Sequence, residues 1–452
     1  MKFYNRKQEL EILQKITNSS RSELVYFLGR RRIGKTSLMN HFFTSKNQKY
    51  LYFFVSNKKE WNLLQSFSET LKEYLGYDIH FHSIREFLKF LFEYGKEHPW
   101  LCVVFDEFQN FTYVDESIFD DFQEFWDKYK EGANIKLFVI GSLFTLMEDI
   151  FQSKKSPLFG RATAKIDVQE FEVVTLKNIL SDYDMFSSRN LLDIYTLFGG
   201  VPKYLEVLDT IKPWENLLLE TILSEVYLTE NSMFLREWSD LLLTEFGKTS
   251  SVYFSILEAI ANGYNKRSEI ADYTKMNYDS LGLYLENLEK VYHYIEKLTP
   301  IIAQKTTLNR YKIQDNFLIF WFRYIYKNSN LLEIKKYTTL KDHILADITS
   351  LQWFAFEKLV KDLLITQNIT NRYIIDFESI GNYWDKSGNE IDLICLNSRT
   401  KEVVFVECKL SGTKITGAVK QSLIAKSENI PELKDYKKYY QYYSLDNLEE
   451  LF

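Results

Sequence analysis

The sequence has 452 residues, of which 46% are hydrophobic and 26% are charged, and its formal net charge is −6. A chain of this length is too long for one hydrophobic core and predicts roughly two to four domains, and its composition excludes a disordered or low-complexity protein. The acidic balance excludes a surface coated in positive charge, but it is compatible with a local basic groove for nucleic acid.

The chain shows no signal for a membrane or an oxidising compartment. No apolar run approaches the ~20 residues that a membrane helix needs, and the opening "MKFYNRKQEL" is charged rather than apolar. Cys102, Cys395 and Cys408 stand in apolar, strand-like runs without metal-ligand spacing, which indicates reduced core thiols. We therefore expect a cytoplasmic protein that has no membrane partner.

Residues 1–174 alternate short apolar runs with amphipathic helical stretches. "ELVYFLG", "KYLYFFV", "LCVVFDE" and "IKLFVIGS" have the pattern of buried strands, and helical patterns lie between them. This alternation predicts an α/β domain with a parallel sheet that is covered on both faces. Residues 175–246 follow as an almost wholly helical region, interrupted by "FGGVPKY".

A phosphate-binding loop is indicated by "GRRRIGKTS", which fits G-x-x-x-x-G-K-[ST] between an apolar strand and a helical pattern. The glycines let backbone N–H groups curl around phosphate oxygens at a helix N-terminus. Lys35 is expected to reach the β- and γ-phosphates, and the hydroxyl of Thr36 to bind Mg²⁺. A simple strand-to-helix turn is the alternative, which these flanks disfavour. The predicted nucleotide-binding residues here are Gly29, Arg30, Arg31, Arg32, Ile33, Gly34, Lys35, Thr36 and Ser37.

Further catalytic candidates follow at the ends of later strands. Asp106 and Glu107 end "LCVVFDE", where Asp106 is expected to hold Mg²⁺ and Glu107 to orient and polarise the attacking water. Ser142 ends "IKLFVIGS" and is a candidate sensor of the γ-phosphate. Arg161, in "SPLFGRATAKI", is a candidate arginine finger that could act in its own chain or on a neighbour. A turn residue and a surface arginine are equally compatible interpretations of these last two positions.

The motifs of this region resemble those of the archaeal-type, AAA-like ATPases, which are relatives of origin-recognition and signal-transduction ATPases. "FYNRKQELEIL", "GRRRIGKTSLM", "VFDEFQNF", "VIGSLFTLM", "SPLFGRA" and "FGGVPKYL" occur in the expected order, over about residues 1–240. The resemblance implies ATP rather than GTP as the nucleotide, with Mg²⁺. It also implies that Arg6 lies near the nucleotide and that Gly200 and Pro202 pack a helical lid beside it.

Residues 247–326 predict a winged helix. "SVYFSILEAIANG", "KRSEIADYT" and "NYDSLGLYLENLEKV" have the spacing of a helix-turn-helix, and "IIAQKTTLNRYKI" follows as a wing. The expected recognition helix, from about Asn277 to Val291, carries acids such as Asp279 and Glu286 rather than the basic side chains of a major-groove reader. DNA contact and a structural or regulatory role therefore both stay open.

A linker is predicted at 327–346, and a last domain at 347–452 contains the apolar strand "VVFVECKLSG". Residues two apart in a strand share a face, so Glu407 and Lys409 lie side by side. The preceding "NEIDLIC" and "LNSRTK" predict a hairpin. If its loop has four residues, Asp392 stands directly opposite Glu407 and shares that face, whereas a three-residue loop would put the two carboxylates out of step.

Two carboxylates and a lysine on one face suit Mg²⁺-dependent cleavage of a phosphodiester. The pattern resembles the restriction-endonuclease-like fold of the Asp…Glu-x-Lys nucleases, and residues 305–425 also resemble a C-terminal domain of uncharacterised function found on many of these ATPases. The resemblance implies that Asp392 and Glu407 hold the metal, that Glu357 could add a further acidic ligand, and that Lys409 stabilises charge or positions the nucleophile. A half-buried ion pair beside an edge-strand carboxylate is the structural alternative.

Two functional hypotheses follow from these motifs. In the first, an ATPase couples its nucleotide state to DNA binding or DNA cleavage by the C-terminal domain. In the second, an ATP-dependent switch acts on a protein partner, and the C-terminal domain is catalytically inert. The two hypotheses differ in what they require of Asp392, Glu407 and Lys409. The first needs the three side chains on one face of the sheet, and the second gives them no function. A homo-oligomer is compatible with both.

Overall fold

The computed structural model describes residues 1–209, 218–232, 234–235, 237–302 and 308–452. Within them the chain divides into two compact units. The N-terminal unit comprises Lys2–Glu170 and Val201–Lys203, and the C-terminal unit comprises Met1, Phe171–Gly200 and Tyr204–Phe452. In the part of the chain that the structure describes, no helix is both long and apolar enough to span a bilayer.

The N-terminal unit alternates strands and helices, as its apolar pattern predicts. Its strands are β1 (Glu23–Leu28), β2 (Leu51–Phe54), β3 (Cys102–Asp106), β4 (Lys136–Ile140) and β5 (Ala164–Asp167). Its helices are α1 (Lys7–Thr17), α2 (Lys35–Ser45), α3 (Glu60–Leu75), α4 (Ile84–Glu97), α5 (Phe111–Val114), α6 (Ile118–Tyr129) and α7 (Phe144–Gln152).

The five strands form one parallel sheet in the order β2-β3-β4-β1-β5. Successive residues of β1 enter different hydrophobic cores, Tyr26 on one face of the sheet and Val25 and Phe27 on the other. Both faces are therefore covered, which explains why these strands read as continuous apolar runs. Because all strands run in the same direction, their carboxyl ends meet along one edge, where Leu28, Asp106 and Ile140 end β1, β3 and β4.

The C-terminal unit begins with helices and a short hairpin. Its first helices are α8 (Val173–Asp182), α9 (Ser188–Phe198), α10 (Pro202–Leu205), of which the first residues belong to the N-terminal unit, α11 (Leu218–Thr221) and α12 (Glu237–Phe246). Next come α13 (Ser250–Ala261), α14 (Arg267–Thr274), α15 (Tyr278–Lys290) and the antiparallel strands β6 (Ile295–Leu298) and β7 (Arg310–Ile313). The predicted lid and wing include 210–217 and 303–307, which lie outside the described residues.

Helices and a four-stranded sheet complete the C-terminal unit. The remaining elements are α16 (Asn316–Phe320), α17 (Ser329–Glu333), α18 (Tyr337–Ile369), β8 (Ser379–Trp384), β9 (Glu390–Asn397), β10 (Glu402–Cys408), α19 (Gly417–Glu428) and β11 (Lys437–Tyr443). The sheet order is β11-β10-β9-β8, with β10 and β11 parallel and the other neighbours antiparallel. It is a separate sheet with its own core, which contains Phe405, Ile394 and Leu423.

The predicted linker at 327–346 is instead largely helical. It contains α17 and the first turns of α18, a helix of 33 residues that continues without a break into the last predicted domain. Leu340 and Ile344 are buried along this helix. Only every fourth residue is buried in this part of α18, so its sequence is mostly polar and gives little sign of a helix. Packing of the few buried side chains keeps it helical. The predicted domain limits themselves stay predictions.

The hairpin between β9 and β10 has the register that a four-residue loop requires. Asn397 pairs with Glu402, and the ladder continues to Leu393 opposite Val406. One residue further along, the same register sets Asp392 opposite Glu407. The interpretation that these two carboxylates share a face of the sheet is consistent with this ladder.

Candidate functional site

The loop between β1 and α2 is shaped by two glycines. Gly29 has φ +144°, and a Cβ at this position would lie 2.5 Å from the carbonyl oxygen of Val168, so no other residue fits without a shift of the backbone. Gly34 has φ +88° and immediately precedes α2. The loop therefore delivers the first N–H groups of α2 to a point just beyond the carboxyl end of β1, which is the geometry of an anion site.

Lys35 is buried beneath this loop. Its ammonium donates hydrogen bonds to the carbonyl oxygens of Gly29 at 2.5 Å and Arg30 at 2.9 Å. Burial lowers the pKa of Lys35 to about 8, although the nearby carboxylates of Asp106 and Glu107 oppose the shift. A phosphate at the loop would supply the negative charge that this desolvated ammonium lacks.

The hydroxyl of Thr36 and the carboxylate of Asp106 lie in direct contact. Thr36 Oγ1 donates to Asp106 Oδ2 at 2.6 Å, and the phenol of Tyr52 donates to the same oxygen at 2.7 Å. A hydroxyl and a carboxylate at this separation form a donor set that Mg²⁺ accepts, so these residues fit the ion that the motifs imply. Tyr52 was not among the predicted residues, because β2 carries no motif of its own.

Glu107 follows Asp106 in the left-handed region, with φ 56°. Its Oε2 accepts hydrogen bonds from Ser142 Oγ at 2.7 Å and from Gln109 Nε2 at 2.5 Å. The structure thus brings Ser142, from the end of β4, to the candidate water-activating carboxylate. Gln109 lies within the quoted motif "VFDEFQNF", but its contact with Glu107 was not predicted.

Arg6 and Pro202, which both belong to the N-terminal unit, lie beside the loop. Arg6 is buried, and its guanidinium donates to the carbonyl oxygen of Ile33 at 2.9 Å and to Glu9 at 3.1 Å. The ring of Pro202 lies 3.9 Å from the position of a Cβ on Gly34. Of the remaining loop residues, Arg31 and Ser37 are exposed, and Arg30 and Arg32 are partly buried.

Arg161 does not lie at this site in its own chain. Its guanidinium pairs with Asp127 at 2.7 Å and donates to the carbonyl oxygen of Pro157 at 2.6 Å. Two residues later, Thr163 is hydrogen-bonded to Leu24, at the amino end of β1. The phosphate loop follows the opposite, carboxyl end of that strand, so Arg161 lies away from the phosphate loop of its own chain in this conformation. Its role as an arginine finger stays a prediction.

The predicted cluster in the C-terminal unit is also brought together. Lys409 Nζ donates to Glu407 Oε1 at 2.5 Å, and Asp392 Oδ2 accepts from the backbone N–H of Cys408 at 2.7 Å. Burial, together with the charge of Glu407, raises the pKa of Asp392 to about 6. Asp392, Glu407 and Lys409 therefore form one partly buried group around the end of β10.

Glu357, on α18, faces this group. Its Oε1 is buried without a hydrogen-bond partner in the described part of the chain. Burial and the charge of Asp392 raise the pKa of Glu357, and Lys312 and Lys409 oppose the shift. Lys312, on β7, was not predicted, because no motif marks it and its sequence distance from the cluster is large.

A carboxylate set of this kind suits Mg²⁺ or Mn²⁺ in its chemistry, and the unpartnered oxygen of Glu357 points to a ligand. However, no group of three or more His, Cys, Asp and Glu side chains within the described residues is arranged to hold a metal ion. The metal-binding roles of Glu357, Asp392 and Glu407 therefore stay a prediction, and in this conformation Lys409 supplies the positive charge beside Glu407.

The fold and the loop define a P-loop ATPase, and comparisons with known proteins agree. The family model of an ATPase domain predominantly from Archaea matches residues 3–208. The family model of archaeal and bacterial proteins of unknown function matches residues 321–420. An uncharacterized protein of Methanocaldococcus jannaschii is 32% identical over 444 residues, which are 97% of this chain and 94% of that protein. The chain belongs to the same family as that protein, and it joins an archaeal-type ATPase domain to this C-terminal domain.

Solved structures show the same ATPase fold. A Walker-type ATPase of Pyrococcus abyssi aligns with a TM-score of 0.52 and 22% identity, covering 71% of this chain and 96% of that chain. The ORC2 protein of Aeropyrum pernix, in ADPNP–ADP complexes, aligns with a TM-score of 0.51 and 16% identity, covering 74% and 96%. At these identities the likeness concerns the fold alone. It confirms the predicted parallel sheet of a P-loop ATPase, and the restriction-endonuclease-like fold stays a prediction.

Proposed function

We propose that the N-terminal unit binds ATP with Mg²⁺ and hydrolyses it. The observation that carries this proposal is the 2.6 Å hydrogen bond between Thr36 and Asp106, because it joins the loop hydroxyl to the strand-end carboxylate. Both groups would hold Mg²⁺, which neutralises charge on the phosphates. Lys35 would exchange the carbonyl oxygens of its own loop for phosphate oxygens, which are better partners for a buried ammonium.

Glu107 is the proposed general base of this reaction. Two donors, Ser142 and Gln109, fix its Oε2, so the carboxylate is oriented before the substrate arrives. Ser142 is also placed to respond when the γ-phosphate is lost, since its hydroxyl already touches the base. The test is steady-state hydrolysis of ATP and GTP with Mg²⁺ by the full chain and by Glu107→Gln. Equal turnover by the two proteins would remove this assignment.

We further propose that the C-terminal unit acts on DNA, by binding it or by metal-dependent cleavage. Helices α13 to α15 and the hairpin β6–β7 follow the order of a winged helix, which supports a DNA-directed role. The hairpin register that aligns Asp392 with Glu407, and the contact of Glu407 with Lys409, support a restriction-endonuclease-like site. ATP binding in the N-terminal unit would control access of DNA to this site.

The decisive experiment is cleavage of plasmid and linear DNA by the purified full chain, with Mg²⁺ or Mn²⁺ and with or without ATP. Lys409→Ala is the matched variant, and Lys414→Ala, an exposed lysine nearby, is the control. Cleavage that is lost in the first variant and kept in the second would establish the nuclease. If wild-type protein cuts no DNA under any condition, the cleavage proposal fails and DNA binding is measured next.

A switch that acts on a protein partner is the second candidate, and the exposed face of α15 favours it. Leu283 is 63% exposed and Tyr278 is 51% exposed on this helix. Lys290 is paired with Glu286 at 2.7 Å, so the one basic side chain in the sequence of this helix is already neutralised. An apolar and acidic face suits a protein better than a DNA groove. Capture of a purified partner that depends on ATP and is lost in Leu283→Asp would favour this candidate.

For Arg161 we propose a role on a neighbouring copy of the chain. Its position at the amino ends of the strands removes it from the phosphate loop of its own chain, whereas an arginine finger can be supplied by a partner. The test mixes Arg161→Ala with Lys35→Ala. Recovery of ATPase activity in the mixture supports a trans role, and a mixture no more active than its parts contradicts it.

A further inference from the structure

The described part of the segment that carries β6 and β7, residues 295–302 and 308–313, forms a strap across the C-terminal sheet. The backbone N–H of Ile301 donates to the carbonyl oxygen of Asn382 at 3.0 Å. The indole of Trp384 donates to the carbonyl oxygen of Leu308 at 2.7 Å. Both partners belong to β8, one of the two edge strands of the sheet. The strap is therefore attached to that edge by residues before and after 303–307, which lie outside the described residues.

Side-chain contacts add to this attachment. The guanidinium of Arg310 lies over the ring of Trp384, 4.5 Å from its centroid, and forms an ion pair with Glu390 at the start of β9. In a strand, Lys312 points to the same side as Arg310. Arg310 and Lys312 therefore point from the same face of β7 toward the C-terminal sheet and α18.

Lys312 is the cation that meets the carboxylate cluster. It lines the same cavity as Glu357 and Asp392, and within it the charges of Lys312 and Glu357 act on each other. Oε1 of Glu357 has no hydrogen-bond partner in the described part of the chain. Glu407 already has Lys409 as its partner, and Asp392 accepts a backbone N–H. Lys312 thus brings, from a separate element of the chain, a second cation to the cavity that Glu357 lines, in addition to the charge of Lys409.

We propose that Lys312 is the resident counter-cation of this cluster, and that a divalent cation binds there only when the strap releases it. The inference rests on the proposed metal-dependent function of the C-terminal unit. A Mg²⁺ or Mn²⁺ ion beside Glu357 would face the ammonium of Lys312 inside a cavity lined by Trp353, Trp384 and Tyr311, where like charges repel more strongly than in water. The proposal explains why these carboxylates have the chemistry of a metal site but are not arranged as one in this conformation.

The first test measures Mn²⁺ binding to the full chain without nucleotide, by electron paramagnetic resonance. Lys312→Met keeps the length of the side chain and removes its charge, and Lys312→Arg keeps the charge. Lys297→Met, an exposed lysine of β6, is the matched control. We expect Lys312→Met to bind Mn²⁺ roughly tenfold more tightly than the wild type, and the other two variants to resemble the wild type.

Adding Asp392→Asn to Lys312→Met assigns the signal, because it should abolish the gain while any binding at Thr36 and Asp106 persists. Unchanged or weaker Mn²⁺ binding by Lys312→Met overturns the proposal. The absence of Mn²⁺ binding that depends on Asp392 in every variant overturns it as well.

A second test locks the strap without touching the charged groups. A Cβ on Gly381 would lie 3.4 Å from the Cβ of Ile301, close to the separation that a disulfide requires. In the Ile301→Cys/Gly381→Cys protein, oxidation should weaken Mn²⁺ binding severalfold, and reduction should restore it. Equal affinity of the oxidised and reduced forms overturns the role of the strap.

The two proposals can fail separately. A gain in Mn²⁺ affinity by Lys312→Met without any DNA cleavage supports the counter-cation and contradicts the nuclease. Cleavage of DNA by the wild type, together with unchanged Mn²⁺ affinity in Lys312→Met, supports the nuclease and overturns the counter-cation.

Discussion

The hydroxyl of Ser142 donates a 2.7 Å hydrogen bond to the carboxylate of Glu107, which joins the end of β4 to the residue that follows β3. Neither residue is near the other in the sequence. The contact exists because β3 and β4 are parallel neighbours in register, with Asp106 aligned to Ile140. Five predictions follow from this and related contacts.

Removing the hydroxyl of Ser142 should slow hydrolysis rather than weaken substrate binding. In Ser142→Ala the carboxylate of Glu107 loses one of its two orienting donors, so we expect kcat to fall about tenfold with KM nearly unchanged. Ser142→Thr retains a hydroxyl and should recover most of the rate, and Ser66→Ala, an exposed serine of α3, is the control. A rise in KM with an unchanged kcat would instead make Ser142 a substrate-binding residue.

Glu107→Gln should bind ATP with near-normal affinity and hydrolyse it on the order of 100-fold more slowly. The amide can accept the hydrogen bond of Ser142, so the local structure is preserved, but it cannot take a proton from water. Binding is measured with a fluorescent ATP analogue, and turnover by phosphate release. A variant with wild-type turnover would move the base to another residue.

Lys35→Ala should reduce ATP affinity on the order of 100-fold, because one charge-assisted contact with phosphate contributes ~2–3 kcal/mol. Lys46→Ala, an exposed lysine just after α2, should bind ATP normally. Titration with the same fluorescent analogue compares the two. Normal affinity in Lys35→Ala would refute the assignment of the phosphate loop.

Lys409→Ala should leave ATP hydrolysis within about twofold of the wild type, since Lys409 belongs to the C-terminal unit and catalysis is proposed in the other. The variant leaves Glu407, which is 8% exposed, without its ammonium partner. We therefore expect a lower thermal midpoint for the C-terminal unit, because an unpaired buried carboxylate is destabilising. A large loss of ATPase activity would show that the two sites are coupled.

Asp193, on α9, should make stability fall as the pH rises from about 4 to about 6. Burial raises its pKa from 3.8 to about 6, although Arg189 and Gln352 contact it. Within this window the folded protein keeps a proton that the unfolded chain has lost, so the unfolded state gains stability with pH. The full shift corresponds to roughly 3 kcal/mol at ~1.4 kcal/mol per unit.

Asp193→Asn removes this titration, so its thermal midpoint should depend less on pH between 4 and 6 than that of the wild type. Differential scanning calorimetry at a series of pH values measures the difference. Asp184→Asn, an exposed position after α8, is the control and should follow the wild type. Parallel pH profiles for Asp193→Asn and the wild type would contradict the prediction.

The sequence predicted the parallel sheet, because strand-length apolar runs separated by helical periods require a sheet that is covered on both faces. It left the hairpin register open between a three-residue and a four-residue loop, and the structure has the four-residue loop, which sets Asn397 opposite Glu402. The helical state of 327–346 was missed for the opposite reason. Its burial depends on tertiary packing that leaves only Leu340 and Ile344 buried there, too few to give a clear period.

By itself, the sequence determined the phosphate loop, the acidic pair at Asp106 and Glu107, and the alternation that puts Glu407 beside Lys409, since each lies within a few consecutive residues. Only the tertiary structure decided which distant groups meet them. It placed Tyr52 on Asp106, kept Arg161 away from the phosphate loop, and brought Lys312 and Glu357 to one cavity. The physical reason is that charge and hydrogen-bond partners are chosen by proximity in the fold, and a local pattern carries no information about proximity across many intervening residues.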